Sequence, residues 1–312
     1  MMSDQALRLR QMVAHERRKS ALDSGSELGP LAKLALQESS RRARARVVAI
    51  TSGKGGVGKT VITANLALSF AMDGKRVMLL DADFGLANLD VVLGVRAEQD
   101  IRDVVSGKSS IADVIVEGPE GLRLIPAGSG IRSLANLTQS QVTSLLDEVL
   151  GYDEHADMFF IDTAAGIAAG VAGILLSADE IIIVAQPEPT AVLDAYAVIK
   201  TLVADRPDAD IYIVANCVAS DQQGLTVFNN LQNVSERFLS KNLIYAGSIP
   251  LDARLKDAVK MRRPSLTEFP NSPFSIAIRK LARTLDRVDN GDNRLSGGIS
   301  GFFSRMIGTG AS

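Results

Sequence analysis

VVAITSGKGGVGKT, residues 47–60, decides the architecture. Val47 to Ile50 is a short apolar run of the kind that forms a strand buried on both faces. It is followed at once by Gly53-Lys-Gly-Gly-Val-Gly-Lys59-Thr60, the G-x-x-x-x-G-K-[ST] phosphate loop, and a helical pattern runs from Lys59 to Met72. Glycines let a backbone wrap a phosphate chain closely, and the loop amides with the start of the helix supply positive potential. Gly53, Lys54, Gly55, Gly56, Val57 and Gly58 are therefore candidate phosphate-cradle positions. Lys59 is placed to reach the β- and γ-phosphates, and the Thr60 hydroxyl to hold Mg²⁺. The bland alternative is an ordinary glycine turn.

Strand and helix patterns alternate along the rest of the chain. RVMLLD (76–81), LRLI (122–125), MFFID (158–162), EIIIVA (180–185), IYIVAN (211–216) and LIYAG (243–247) read as strands, with helical stretches at 138–150, 167–177, 190–204, 223–240 and 274–288. Val/Ile/Leu strands joined by helices predict an α/β fold, a doubly wound and mostly parallel sheet with helices on both faces, with its ligand at the carboxyl ends of the strands. The pattern predicts a single domain over 47–288. Residues 1–46 read as an appended arm, with helices over 4–19 and 31–45 around the linker DSGSELGP, and 289–312 as a polar linker plus an amphipathic segment.

Composition agrees and excludes some chemistry. In 312 residues, 46% are hydrophobic and none is Trp, so the core must be aliphatic. A formal charge of −2 gives no whole-molecule attraction for DNA, and no direct DNA binding is expected, although the arm carries ten Lys/Arg against five Asp/Glu. The single cysteine, Cys217, forms no internal disulfide and ligates neither an iron–sulfur cluster nor structural zinc within one chain. With neither a signal-peptide pattern nor a run of about 18 apolar residues, a cytoplasmic location is expected.

Acidic residues complete the phosphate site. The second strand ends in Asp81-Ala82-Asp83, and MFFIDTAAG delivers Asp162 from an apolar strand, with Gly166 allowing a turn near the γ-phosphate. A lone strand-end Asp is often a helix cap, but three set beside one phosphate loop point to a nucleotide site.

Lys54, at the second position of the loop, is not needed to hold phosphates within its own chain; GKGGVGKT resembles the deviant phosphate loop of the MinD/ParA family of P-loop ATPases. The resemblance implies ATP and Mg²⁺ as ligands and a catalytic set of Lys54, Lys59 and Asp83. It also implies an ATP-dependent homodimer in which Lys54 reaches the other subunit's nucleotide; the alternative for Lys54 is a solvated surface lysine. By the same resemblance Asp83 orients the attacking water and is counted with Thr60 and Asp162 about the magnesium. Asp81 supports the magnesium shell, and Asn216 and the IPLD turn, with Pro250 and Asp252, contact adenine. The alternative for the last three is an ordinary strand-end cap and turn.

The two ends of the chain narrow the resemblance. Asp4-Gln5-Ala6-Leu7-Arg8-Leu9-Arg10 matches the DQAxxLR motif of the FlhG family, also called FleN or YlxH, the MinD-like regulators of flagellar number and placement. DADFGLANLDVVLG, DTAAGI and EPTAVLDAYAVIKTL look like the same family. The motif implies an arm docking on an FlhF-type GTPase through Asp4, Gln5, Ala6, Leu9 and Arg10; the alternative is a solvated amphipathic helix. Other partners implied are flagellar switch-ring proteins or a flagellar transcription regulator. At the other end, Ile299, Phe302, Phe303, Met306 and Ile307 form one apolar stripe at helical spacing. In the family such a stripe targets the inner face of the cytoplasmic membrane, with polar placement in the cell, and is released from the core when ATP closes the dimer; the alternative is a stripe packed on the protein itself. A MinD-type division protein or a ParA-type partition protein is the competing assignment, and the lone Cys217 argues against cluster-carrying relatives.

Overall fold

The computed structural model describes residues 45–83, 88–126, 155–287 and 297–308, together with Glu148. Strand β1 (Arg46–Thr51) leads through the phosphate loop into helix α1 (Lys59–Met72) and then β2 (Val77–Ala82). Three short helices follow, α2 (Leu89–Leu93), α3 (Ile101–Val105) and α4 (Ile111–Val114), then the short strands β3 (Val116–Glu117) and β4 (Arg123–Ile125). Next come β5 (Met158–Thr163), α5 (Ala169–Ser177), β6 (Glu180–Ala185), α6 (Pro189–Asp205), β7 (Asp210–Val218), α7 (Asp221–Leu239) and β8 (Ile244–Pro250). Helices α8 (Ala253–Lys260), α9 (Ser265–Glu268), α10 (Pro273–Arg287) and α11 (Gly298–Gly308) complete the described chain.

Among the described residues, eight strands form one sheet in the order β3-β4-β2-β5-β1-β6-β7-β8. All pairings are parallel except β3 with β4. The doubly wound expectation holds, and the α1 and β6 boundaries coincide with those read from sequence. The stretch between β2 and β4 was left without elements in the sequence reading, because its helices are only one turn or so long and show no sustained period. Capping boxes at Asp100 and Ser110 start two of them. The expected helix over 4–19, and all but one residue of each of those over 31–45 and 138–150, lie outside the described residues.

Alternation along each strand divides the core. In β5, Phe159 and Ile161 belong to one face, while Met158 and Phe160 belong to the other. The first face is covered by α5, α6, α7 and α11, and the second by α1 and α10. At the amino end of the sheet, Arg46 and Glu180 form a buried ion pair.

In this conformation the C-terminal stripe packs on the protein itself. Ile299, Phe302, Phe303 and Met306 are at most 1% exposed and are part of the first core face, so in this conformation they are not a membrane-facing surface. Helix α11 lies on α5 and β1, with the Phe302 and Phe303 rings 6.0 and 6.2 Å from that of Phe159. Arg305 Nη2 donates to the Ser177 carbonyl at the end of α5, 2.8 Å away. The physical reason is that burial on an apolar sheet face satisfies such a stripe as well as lipid does. The side chain of Ile307 is outside the described residues. Among those described, no helix is long and apolar enough to cross a membrane.

Candidate functional site

The carboxyl ends of β1, β2 and β5 bring together the residues that sequence spacing singled out. Helix α1 starts after Gly58, which takes a left-handed conformation (φ 92°) and provides no side-chain cap. Its first amides are therefore left for an anion. Gly53 is required by close packing: a Cβ there would lie 2.1 Å from the Asp194 backbone of α6. Lys54, Gly55 and Gly56 face solvent, whereas Val57 is buried. Lys59 is buried at the start of α1.

Asp162 joins the phosphate loop to the sheet. Its Oδ2 accepts from the Thr60 hydroxyl at 2.7 Å, and its Oδ1 from the Thr63 hydroxyl at 3.1 Å. Thr63 was not anticipated; it lies one helical turn beyond Thr60 on the same face of α1, and that spacing was the available signal. Burial raises the Asp162 carboxyl to about 6, against the opposing pull of the Lys59 ammonium and the two threonine hydroxyls. Parallel register sets Asp81 directly beside Asp162, and burial together with that neighbouring charge raises Asp81 to about 7.

Two buried carboxylates lifted in this way are suited to a cation nearby. Among the described residues no group of three or more His, Cys, Asp or Glu forms a self-sufficient metal cage. An oxygen set of Thr60 and Asp162, with Asp83 close enough to raise Asp162 further, fits Mg²⁺, which keeps several waters and binds through one or two protein oxygens plus phosphates.

Three of the residues singled out in the sequence make hydrogen bonds to the backbone of the chain itself. The Asp81 carboxylate, expected to support the magnesium shell, accepts from the backbone amides of Asp83, Asn88 and Leu89 at 3.0–3.1 Å, and so ties the segment after β2 to the start of α2. Asn216, the expected base contact, donates its Nδ2 to the Val57 carbonyl at 2.7 Å, so that the end of β7 is tied to the phosphate loop. Asp252 caps α8 through the Arg254 amide at 2.9 Å and accepts from the Phe274 amide at 3.1 Å, so its carboxylate is held by backbone. Pro250 closes β8, in register with Val218.

Lys54 does meet an acidic partner, within its own chain. Its Nζ lies 3.2 Å from Glu188 at the start of α6, with the two side chains 46% and 57% exposed. An exposed pair of this kind is worth about 0–1 kcal/mol, so it holds Lys54 weakly. Glu188 was not anticipated as a partner, since nothing in local spacing links residues so far apart. The Gly166 amide donates to the Ser52 carbonyl at 2.8 Å, tying the loop after β5 to the entry of the phosphate loop. Asp4, Gln5, Ala6, Leu9 and Arg10 lie outside the described residues.

This fold and this site define a P-loop nucleotide-binding protein. A family model described as an AAA domain matches residues 45–206. Over 241 residues the chain is 41% identical to the antiactivator FleN of Pseudomonas aeruginosa, covering 77% of this chain and 86% of that one. It is 35% identical over 265 residues to the flagellum site-determining protein YlxH of Helicobacter pylori, covering 84% and 90%. Among solved structures, the MinD of Pyrococcus horikoshii complexed with Mg-ADP aligns with a TM-score of 0.63 at 25% identity, covering 80% of this chain and 100% of that one. The MinC:MinD complex of Aquifex aeolicus also aligns at 0.63, with 30% identity over 78% and 96%. The chain belongs to the FleN/YlxH group of MinD/ParA-family P-loop ATPases.

Proposed function

We propose that this protein hydrolyses ATP with Mg²⁺, closes into a homodimer when ATP is bound, and uses that switch to regulate flagellar number or placement. The observation that carries the reading is the Thr60–Asp162–Thr63 knot beside buried Lys59, which couples the phosphate loop to the strand that delivers the metal-side carboxylate. Lys59 and the α1 amides bind the triphosphate, and Lys59 balances charge that builds on the leaving phosphates. Thr60 and Asp162 are the residues that would hold Mg²⁺, which when bound would neutralise phosphate charge. Asp83 orients a water for in-line attack on the γ-phosphorus; the bond to the bridging oxygen breaks, giving ADP and phosphate. Lys54 leaves Glu188 and reaches the phosphates of the facing protomer.

The dimer is the form that acts on partners. The arm carrying Gln5 and Leu9 docks on an FlhF-type GTPase and accelerates its hydrolysis. Helix α11 undocks to place Ile299, Phe302, Phe303 and Met306 at the cytoplasmic membrane, near the cell pole. Support for a release route is that α5, on which α11 lies, starts directly after the loop that carries Gly166.

The deciding experiment is light scattering with ATP and Mg²⁺ on two variants. Asp83→Ala is expected to accumulate as a dimer because hydrolysis no longer reopens it, and Lys54→Ala to remain a monomer. A monomeric Asp83→Ala protein, or a dimeric Lys54→Ala one, removes the corresponding role.

A further inference from the structure

A second concave site lies away from the phosphate loop, between the end of α2 and the segment that joins α8 to α9. It encloses about 760 Å³ and is lined by Arg96, Arg262 and Arg263, by Met261 and Pro264, and by Asp90 as the acidic residue of its wall. Arg263 is already paired with Glu268, 3.2 Å away. The guanidinium groups of Arg96 and Arg262 have no hydrogen-bond, ion-pair or ring partner among the described residues, and both residues are exposed. Met261 is exposed beside them, an apolar contact at the rim of a cationic cleft.

The walls are braced on the nucleotide site. Helix α2 hangs from Asp81 by the Asn88 and Leu89 amides, and its left-handed cap Gly94 (φ 70°) sits so close to the Arg262 carbonyl that a Cβ would come within 2.4 Å of it. Helix α9 is fastened to α1 by the Leu266 amide, which donates to Asn65 Oδ1 at 3.1 Å. Arg262 itself is left-handed (φ 54°), turning the chain sharply where it lines the cleft. A cleft held from both sides is preformed, which lowers the ordering cost of binding.

We propose that this cleft is a docking site for an acidic, aliphatic-rich segment of a protein partner. Two unpartnered guanidinium forks match carboxylates in charge and in planar geometry. Met261 and Pro264 offer apolar contact for a side chain between those carboxylates. No aromatic residue lines the cleft, so it offers no stacking surface for a nucleotide base.

The test uses the full chain and a fluorescein-labelled peptide of alternating Glu and Leu, with Glu/Ser and Lys/Leu peptides beside it. The Glu/Leu peptide is expected to bind, with affinity falling as salt rises, and to lose about tenfold in affinity to the Arg96→Glu/Arg262→Asn protein. Asparagine is chosen at 262 because it tolerates the left-handed backbone there. Equal binding to both proteins, or a preference for the Lys/Leu peptide, overturns the proposal. So does phosphatidylglycerol-vesicle binding that depends on Arg96 and Arg262 while the Glu/Leu peptide fails to bind. ATP hydrolysis by the double variant is measured in parallel: lost peptide binding with hydrolysis intact bears on the cleft alone, whereas absence of hydrolysis in the unmodified protein bears on the ATPase reading.

Discussion

Helices α1 and α11 cover neighbouring residues of β5 from opposite sides. Phe160 faces α1, where its ring is 5.5 Å from Phe70, and Phe159 faces α11, where it meets Phe302 and Phe303. Both helices bury aromatic side chains, but they differ in alternatives. Helix α1 is buried nearly all round and is joined directly to β1 and β2, so it has one place to go. Helix α11 concentrates its apolar residues in one stripe, is continuous with the fold only through 288–297, and has a surface that either a protein core or a lipid interface satisfies. Burial of equal depth therefore means permanence for one helix and, in the function proposed above, a stored state for the other.

Truncation of the two phenylalanines sharpens that difference. Phe160→Ala is expected to cost about 3–5 kcal/mol of global stability in denaturant unfolding, because α1 cannot leave without the domain unfolding. Phe159→Ala should cost less, since the loss is capped by the free energy of docking α11. It should also raise flotation with anionic vesicles in the absence of ATP. Equal losses in the two variants, with flotation unchanged in Phe159→Ala, would make α11 a permanent part of the core and break the contrast.

A smaller effect tests the polar end of β5. Asp81, raised to about 7 in the folded chain from its ordinary 3.8, holds a proton that the unfolded chain has released between those values. Its contribution to stability is full below the unfolded value and is lost as pH rises through about 7. In the absence of nucleotide and divalent cation, the Tm advantage of the unmodified protein over Asp81→Asn should shrink between pH 5 and pH 8. An advantage that grows with pH would mean that the three amides outweigh burial and that the carboxylate is the stabilising form.

The sequence by itself determined the sheet, the order of its longer elements and the chemistry of the phosphate loop. Runs such as EIIIVA and the spacing from Gly53 to Thr60 act through local backbone preference and short-range periodicity, which need no knowledge of neighbours. The short helices after β2 were not legible in this way, because one turn carries too little periodicity to stand out. Only the tertiary structure decided that Asn216 holds Val57, that Asp252 joins α8 to α10, that Asp81 fastens α2, and that Glu188 receives Lys54. It also decided that the Ile299–Met306 stripe lies inside the core. Each of these outcomes depends on which backbone amide, carbonyl or apolar surface arrives within a few ångströms from a distant part of the chain. A side chain's type states what it is able to bind, and the packing of the fold selects among the partners it can reach.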